Sequence, residues 1–180
     1  MTPDIGEAYS YNSVLAVFNT NNDITNTTTE TDLFSVSIPA NMLGTDKTIR
    51  AQMTGTFEAN SGTPTMTFKV IYGTTTMFQD VSATLSASAV KGALEIILYL
   101  QAHNATNSQE LGGAIRLGNR AAPAAGVGDI AVGGTGGSIQ GAATEDSTTA
   151  LNFKMTLSWS AANSTYHCIR RFGLVEVLRP

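Results

Sequence analysis

The chain has 180 residues, 42% hydrophobic and only 13% charged, with a net charge of −4 at pH 7. That length suits one domain, or one domain plus an arm, and the charged fraction is about half that of ordinary soluble domains. Such a surface is cheap to desolvate and suited to burial against protein partners, while the negative balance argues against nucleic acid as the main partner.

Residues 1–29 open the chain and end in a polar, β-tolerant run, "NTNNDITNTTTE" (19–30). They read as an extended N-terminal arm outside the core. The first basic residue is Lys47; before it stand Asp4, Glu7, Asp23, Glu30, Asp32 and Asp46. This acidic stretch either solvates the arm or docks it on a basic surface. A basic region followed by an apolar run is missing here, so no signal peptide is expected. The sequons at Asn26, Asn104 and Asn163 then read as chance matches in a chain rich in Thr and Asn.

From residue 30 onward, alternation with period two recurs and helical periodicity is almost absent. "TDLFSVSIP" (31–39) puts Phe34, Val36 and Ile38 on one face. "TIRAQMTGTFEA" (48–59) does the same with Ile49, Ala51, Met53, Gly55 and Phe57. "ANSG" is turn chemistry, and "TMTFKVIYG" (65–73) alternates again, so the two segments predict a β-hairpin. Gly73 permits a turn into "TTMFQDVSA" (75–83). "VKGALEIILYLQAH" (90–103) carries Leu94, Ile96, Leu98 and Leu100 on one face, with Ile97 and Tyr99 on the other. "QELGGAIRLG" (109–118), "ALNFKMTLSWS" (150–160) and "YHCIRRFGLVEVL" (166–178) complete about eight strands. The fold class expected is all-β: a two-sheet antiparallel sandwich spanning 30–180.

Residues 119–149 interrupt this pattern with a long Gly/Ala-rich loop that includes "GGTGGS" (133–138). A structureless stretch of this length is uncommon inside a compact domain and is usually functional or disordered. "GVGDIA" (126–131) matches the G-x-G-x-x-A dinucleotide fingerprint. That chemistry needs a strand before the first glycine and a helix after it, and neither flank is suitable. The loop is therefore read as an insertion between two late strands, ordered by a neighbouring subunit.

Nothing in the sequence assembles a catalytic or metal site. His103 and His167 lack a second ligand at metal spacing, and no nucleophile elbow is present. The lone Cys168 excludes an intrachain disulfide and alternates with Tyr166 and Arg170, as a buried, inert thiol would. Glu95, inside the most apolar strand, is expected to be buried and paired, with Arg170 or Arg171 as a candidate partner. Trp159 ends an apolar face as a core plug, an interface anchor or a sugar-stacking platform.

The segment "DLFSVSIPANMLGTDKTIRAQMTGTFEANSGTPTMTFKVIYGTTTMF" (32–78) resembles a pattern in structural proteins of tailed bacteriophages. So do "ATNSQELGGAIRLG" and "LNFKMTLSWSAANSTYHCIRRFGLVEVL", and the resemblance covers about residues 30–178. It implies a jelly-roll virion component, a capsid decoration (cement) protein or a tail-fibre module. It also implies assembly into trimers or other symmetric oligomers, and it transfers no catalytic residue. The expectation is a non-enzymatic cement protein without cofactor or metal, on the capsid surface of a virion assembled in the host cytoplasm. Its partners would be copies of itself and the major capsid protein, with neither nucleic acid nor membrane. Candidate interface residues are Asp4, Tyr9, Tyr11 and Phe18 in the arm; Arg120, Ile130, Val132 and Ile139 in the loop; and Trp159 and Arg171 in the last strands. The alternative is a tail or fibre module that recognises a host glycan through Trp159, Tyr72, Tyr99 and the loops.

Overall fold

The computed structural model describes residues 13–118, 130–132 (backbone) and 138–178. In these, twelve strands form two antiparallel sheets: β1 Ser13–Phe18, β2 Asn22–Thr25, β3 Thr31–Ile38, β4 Thr48–Ala59, β5 Met66–Tyr72, β6 Thr75–Val81, β7 Ser88–Ala102, β8 Gln109–Leu117, β9 Ile130–Val132, β10 Ser138–Ala143, β11 Leu151–Trp159 and β12 Tyr166–Leu178. The larger sheet has eight strands in the order β1-β12-β4-β7-β8-β10, with β2 also on β12 and β9 also on β8. The smaller has four, in the order β3-β11-β5-β6. The period-two segments all become strands because alternation is what a sheet with one buried face requires.

The inner faces meet in one core. Ile49, Met53, Phe57, Ile96, Leu98 and Leu100 face it from the large sheet; Phe34, Phe68, Phe153 and Leu157 face it from the small one. Phe34 and Phe153 pack edge to face with centroids 5.6 Å apart. Cys168 is fully buried as expected, and burial pushes its thiol up to about 12. It therefore stays protonated and inert.

Three expectations need correction. First, β4 and β5 do not form a hairpin. β4 pairs with β7 and β12, and β5 with β6 and β11, so the link between them crosses from one sheet to the other. The β11–β12 link crosses beside it. Asn60 N–H donates to Thr165 O, and Ser160 N–H to Thr65 O, which ties the two crossings together. Alternation reports which face of a strand is buried but not which strand lies beside it. The short hairpins are β5–β6, turned at Gly73 (φ +59°), and β7–β8, and β8 also pairs antiparallel with the next strand, β9.

Second, the described part of the N-terminal arm belongs to the sheet. β1 pairs with residues Gly173–Val177 of β12, and β2 with His167–Arg170. Ile24 is in the core. Its carbonyl accepts the Trp159 indole N–H at 3.0 Å, so Trp159 is the core plug. Third, the long loop is partly sheet. β10 pairs with Gln109–Ala114 of β8, and β9 with Ile115–Leu117. At Gly141, a Cβ would lie 2.0 Å from Met77 O, so only glycine lets β10 approach β6 this closely. The four strands beyond the expected eight thus come from the two segments set aside as arm and loop.

Candidate interaction face

The outward face of the large sheet is built by the alternate residues of its strands. One cross-strand row runs Glu176–Arg50–Tyr99–Gly112–Gln140 over β12, β4, β7, β8 and β10. The next runs Val17–Leu174–Gln52–Ile97–Ala114–Ser138 from β1 to β10. Its few charges are mostly paired: Arg50 with Glu176, Arg116 with Glu95 at 3.1 Å and His103 with Glu110 at 2.9 Å. His167 sits between Asp23 at 2.8 Å and Glu58 at 4.0 Å. Lys91 lies 3.9 Å from Glu58, and outside these contacts the exposed Arg171 is a further charge beside Phe172.

Its β1 end is apolar. Val14 and Val17 on β1 are 57% and 55% exposed, and Phe172 on β12 is 48% exposed. A bulge at Arg171, between Arg170 and Phe172, shifts the register against β4. Arg171 and Phe172 are consequently both exposed while Arg170 points inward. No charged residue occurs between Ser13 and Phe18. Among the described residues no strand pairs with the far side of β1, and it carries neither charge nor proline, though it is short and bulged between Val14 and Ala16.

The β7–β8–β10 end is a groove of about 550 Å³ whose lining includes Tyr99, Gln101, Glu110, Ser138 and Gln140. Gly112 lies on its floor, and a Cβ there would meet nothing within 4 Å. Tyr99 is 39% exposed and stands directly opposite Arg50 on β4, whose guanidinium is bonded to Glu176. That pairing with Glu176 raises the Arg50 pKa further.

Arg170 is buried on the inner side. It donates to Leu33 O at 2.8 Å and stacks 4.4 Å over the Phe18 ring. Burial lowers its pKa. It clamps β1 to β3. The expected pairing of Glu95 with Arg170 or Arg171 is replaced by Arg116, which stands directly opposite Glu95 on β8. Glu95 is part-exposed at the surface, because it lies on the outer face of its apolar strand.

Few expected interface residues reach this face. Trp159 and Ile139 are buried, and Phe18 is half-buried under Arg170. Tyr72, expected in a sugar site, is also buried, which pushes its phenol up to about 12. Arg171 is exposed at the bulge. Ile130 and Val132 lie on β9, where only the backbone is described. Asp4, Tyr9, Tyr11 and Arg120 lie outside the described residues, as do most of "GVGDIA" and of "GGTGGS". The residues missed were Val14, Val17 and Phe172 at one end and Gly112 and Gln140 at the other. "SVLAVF" did carry a β signal, obscured by the polar run after it. Among the described residues, no three His, Cys, Asp or Glu are grouped to hold a metal ion, and no helix is long and apolar enough to cross a membrane. No protein-family model and no curated protein matches the sequence.

Proposed function

We propose that this chain is a non-enzymatic structural virion protein: a capsid decoration protein of a tailed bacteriophage that oligomerises and staples the shell. The observation that carries this reading is the uncharged, apolar edge of β1 with Val14, Val17 and the adjacent Phe172 exposed. The occupant is a second copy of this chain. No charge stands between Ser13 and Phe18, so the edge strand itself brings no like charges together; the exposed Arg171 lies at its margin beside Phe172. Closed symmetric oligomers are the default for such self-association, and a trimer is the form proposed.

The architecture supports the same reading. Strands β1-β12-β4-β7 and β3-β11-β5-β6 interleave in the manner of a jelly roll, a fold used in viral capsids. On that view β8, β9 and β10 are an insertion after β7 that widens one sheet. The widened, low-charge face is the surface to be laid on the major capsid protein, with the N-terminal segment and the 119–149 region as further contacts.

Two measurements test this. Cryo-microscopy of purified virions is expected to find the chain on the outer shell; its absence from the particle overturns the proposal. Mass measurement of the free protein is expected to give a trimer. Val17→Lys, which places a charge on the edge strand, is expected to shift that mass to the monomer with the fold intact. An unchanged oligomer in Val17→Lys removes β1 as the contact.

A further inference from the structure

We propose that the groove over Gly112 is a binding site for a neutral, hydroxyl-rich saccharide, with Tyr99 as its stacking ring and Gln101 and Gln140 as its hydrogen-bonding arms. Small-ligand sites are concave and combine an apolar surface with a few convergent polar groups, and about 550 Å³ lies within their usual size. Here the apolar surface is one exposed phenol ring. Its neighbours across the sheet are Gly112 and then Gln140, so a gap stands between ring and amide. Neighbouring strands are about 4.8 Å apart, which places Tyr99 and Gln140 about 10 Å from each other with the glycine between. A pyranose ring suits that gap, its C–H face against Tyr99 and its edge hydroxyls towards the amides.

The chemistry of the lining selects this ligand class. The second row is Gln101, Glu110 and Ala142. The lining contains no cation, so a phosphate or other anion has nothing to pair with. Its one carboxylate, Glu110, already has His103 at 2.9 Å. The large aliphatic side chains of the lining, Leu111 and Ile139, are buried beneath the floor, so a protein partner finds no apolar pocket to fill. Among the described residues, no side chain is hydrogen-bonded to the amides of Gln101 or Gln140. Side-chain amides both donate and accept, which matches a hydroxyl. Tyr99 lies on a continuous strand between Arg50 and Gly112, so its backbone needs no ordering when a ligand binds.

The test uses the full chain on a microarray of neutral oligosaccharides, where dense display compensates for the weak single-site affinity of a shallow groove. Gly112→Val fills the groove from its floor, where an added Cβ meets nothing within 4 Å. The wild type is expected to retain one or more neutral glycans. Gly112→Val is expected to lose them at unchanged Tm, and Tyr99→Ala to weaken them about tenfold, the loss of one stacked ring. Failure of the wild type to retain any glycan above Gly112→Val overturns the proposal. So does a change of oligomer mass in Gly112→Val, which makes the groove a subunit contact instead. The outcome is separable from shell stapling: a particle that contains the chain, together with an empty array, sinks only the groove.

Discussion

Segments 13–25 and 138–149 both lie outside the strands expected from alternation, yet both are bound into the large sheet, by different means. Segment 13–25 is held chiefly from inside. Ile24 is buried in the core, its carbonyl accepts the Trp159 indole, and Phe18 lies under the buried Arg170. Segment 138–149 is held chiefly by polar contacts. The buried Gln109 amide donates to Thr106 O and Glu145 O and accepts from Glu145 N–H. The Glu145 carboxylate then accepts from the Thr74 N–H and from the Thr74 and Thr75 hydroxyls at the β5–β6 turn. Burial of apolar groups is non-directional and insensitive to pH, whereas a carboxylate clamp is directional and depends on ionisation.

Trp159→Ala breaks the first anchor and has the largest expected effect. A cavity replaces the plug and Ile24 O loses its donor, at about 3–5 kcal/mol by chemical denaturation. Loss of exchange protection should concentrate in 22–25 and spare 138–143; equal loss in both would remove the distinction. Gln109→Ala breaks the second anchor. It leaves Glu145 N–H and C=O without their partners and is expected to cost about 2–3 kcal/mol, with protection lost around 143–147.

The smallest effect is the pH response. Hydrogen bonds from Thr75, and then from Thr74, hold the Glu145 carboxyl below its ordinary value. The folded state therefore binds its proton less readily than the unfolded chain. The stability it contributes is fully present above the ordinary glutamate range and is lost as pH falls through the lower folded value. Amide exchange at Thr74 is expected to quicken over that acid window, and Glu145→Gln to abolish the response at a cost under about 1 kcal/mol. Exchange at Ile24 over the same window is expected to change less. An acid response at Ile24 as large as at Thr74 would blur the contrast.

The legibility of the fold follows the same division. The eight expected segments became β3–β8, β11 and β12 because their alternation records a buried face, and large side chains mark it clearly. β1 was obscured by the Asn- and Thr-rich run behind it. β10 was obscured because "SIQGAA" buries only Ile139 and Ala143, and its closeness to β6 depends on Gly141, a residue that reads as loop in one dimension. The candidate site was less legible. Tyr99 stood out as an apolar residue on the wrong face of its strand. Gly112 and Gln140 have no distinguishing sequence feature, since what matters is that they stand opposite Tyr99. Trp159 and Tyr72 carried the stronger chemical signal and proved to be core.

By itself, the sequence determined the all-β class, the burial of Cys168, and which face of each principal strand is apolar. All three depend on residue type at period two, which needs no knowledge of neighbours. The tertiary structure alone decided that β4 and β5 belong to opposite sheets and that Arg116 rather than Arg170 or Arg171 meets Glu95. It also decided that an open groove lies over Gly112. Strand order, register and bulges bring residues together from distant parts of the chain, and a strand's own pattern carries no record of its partner.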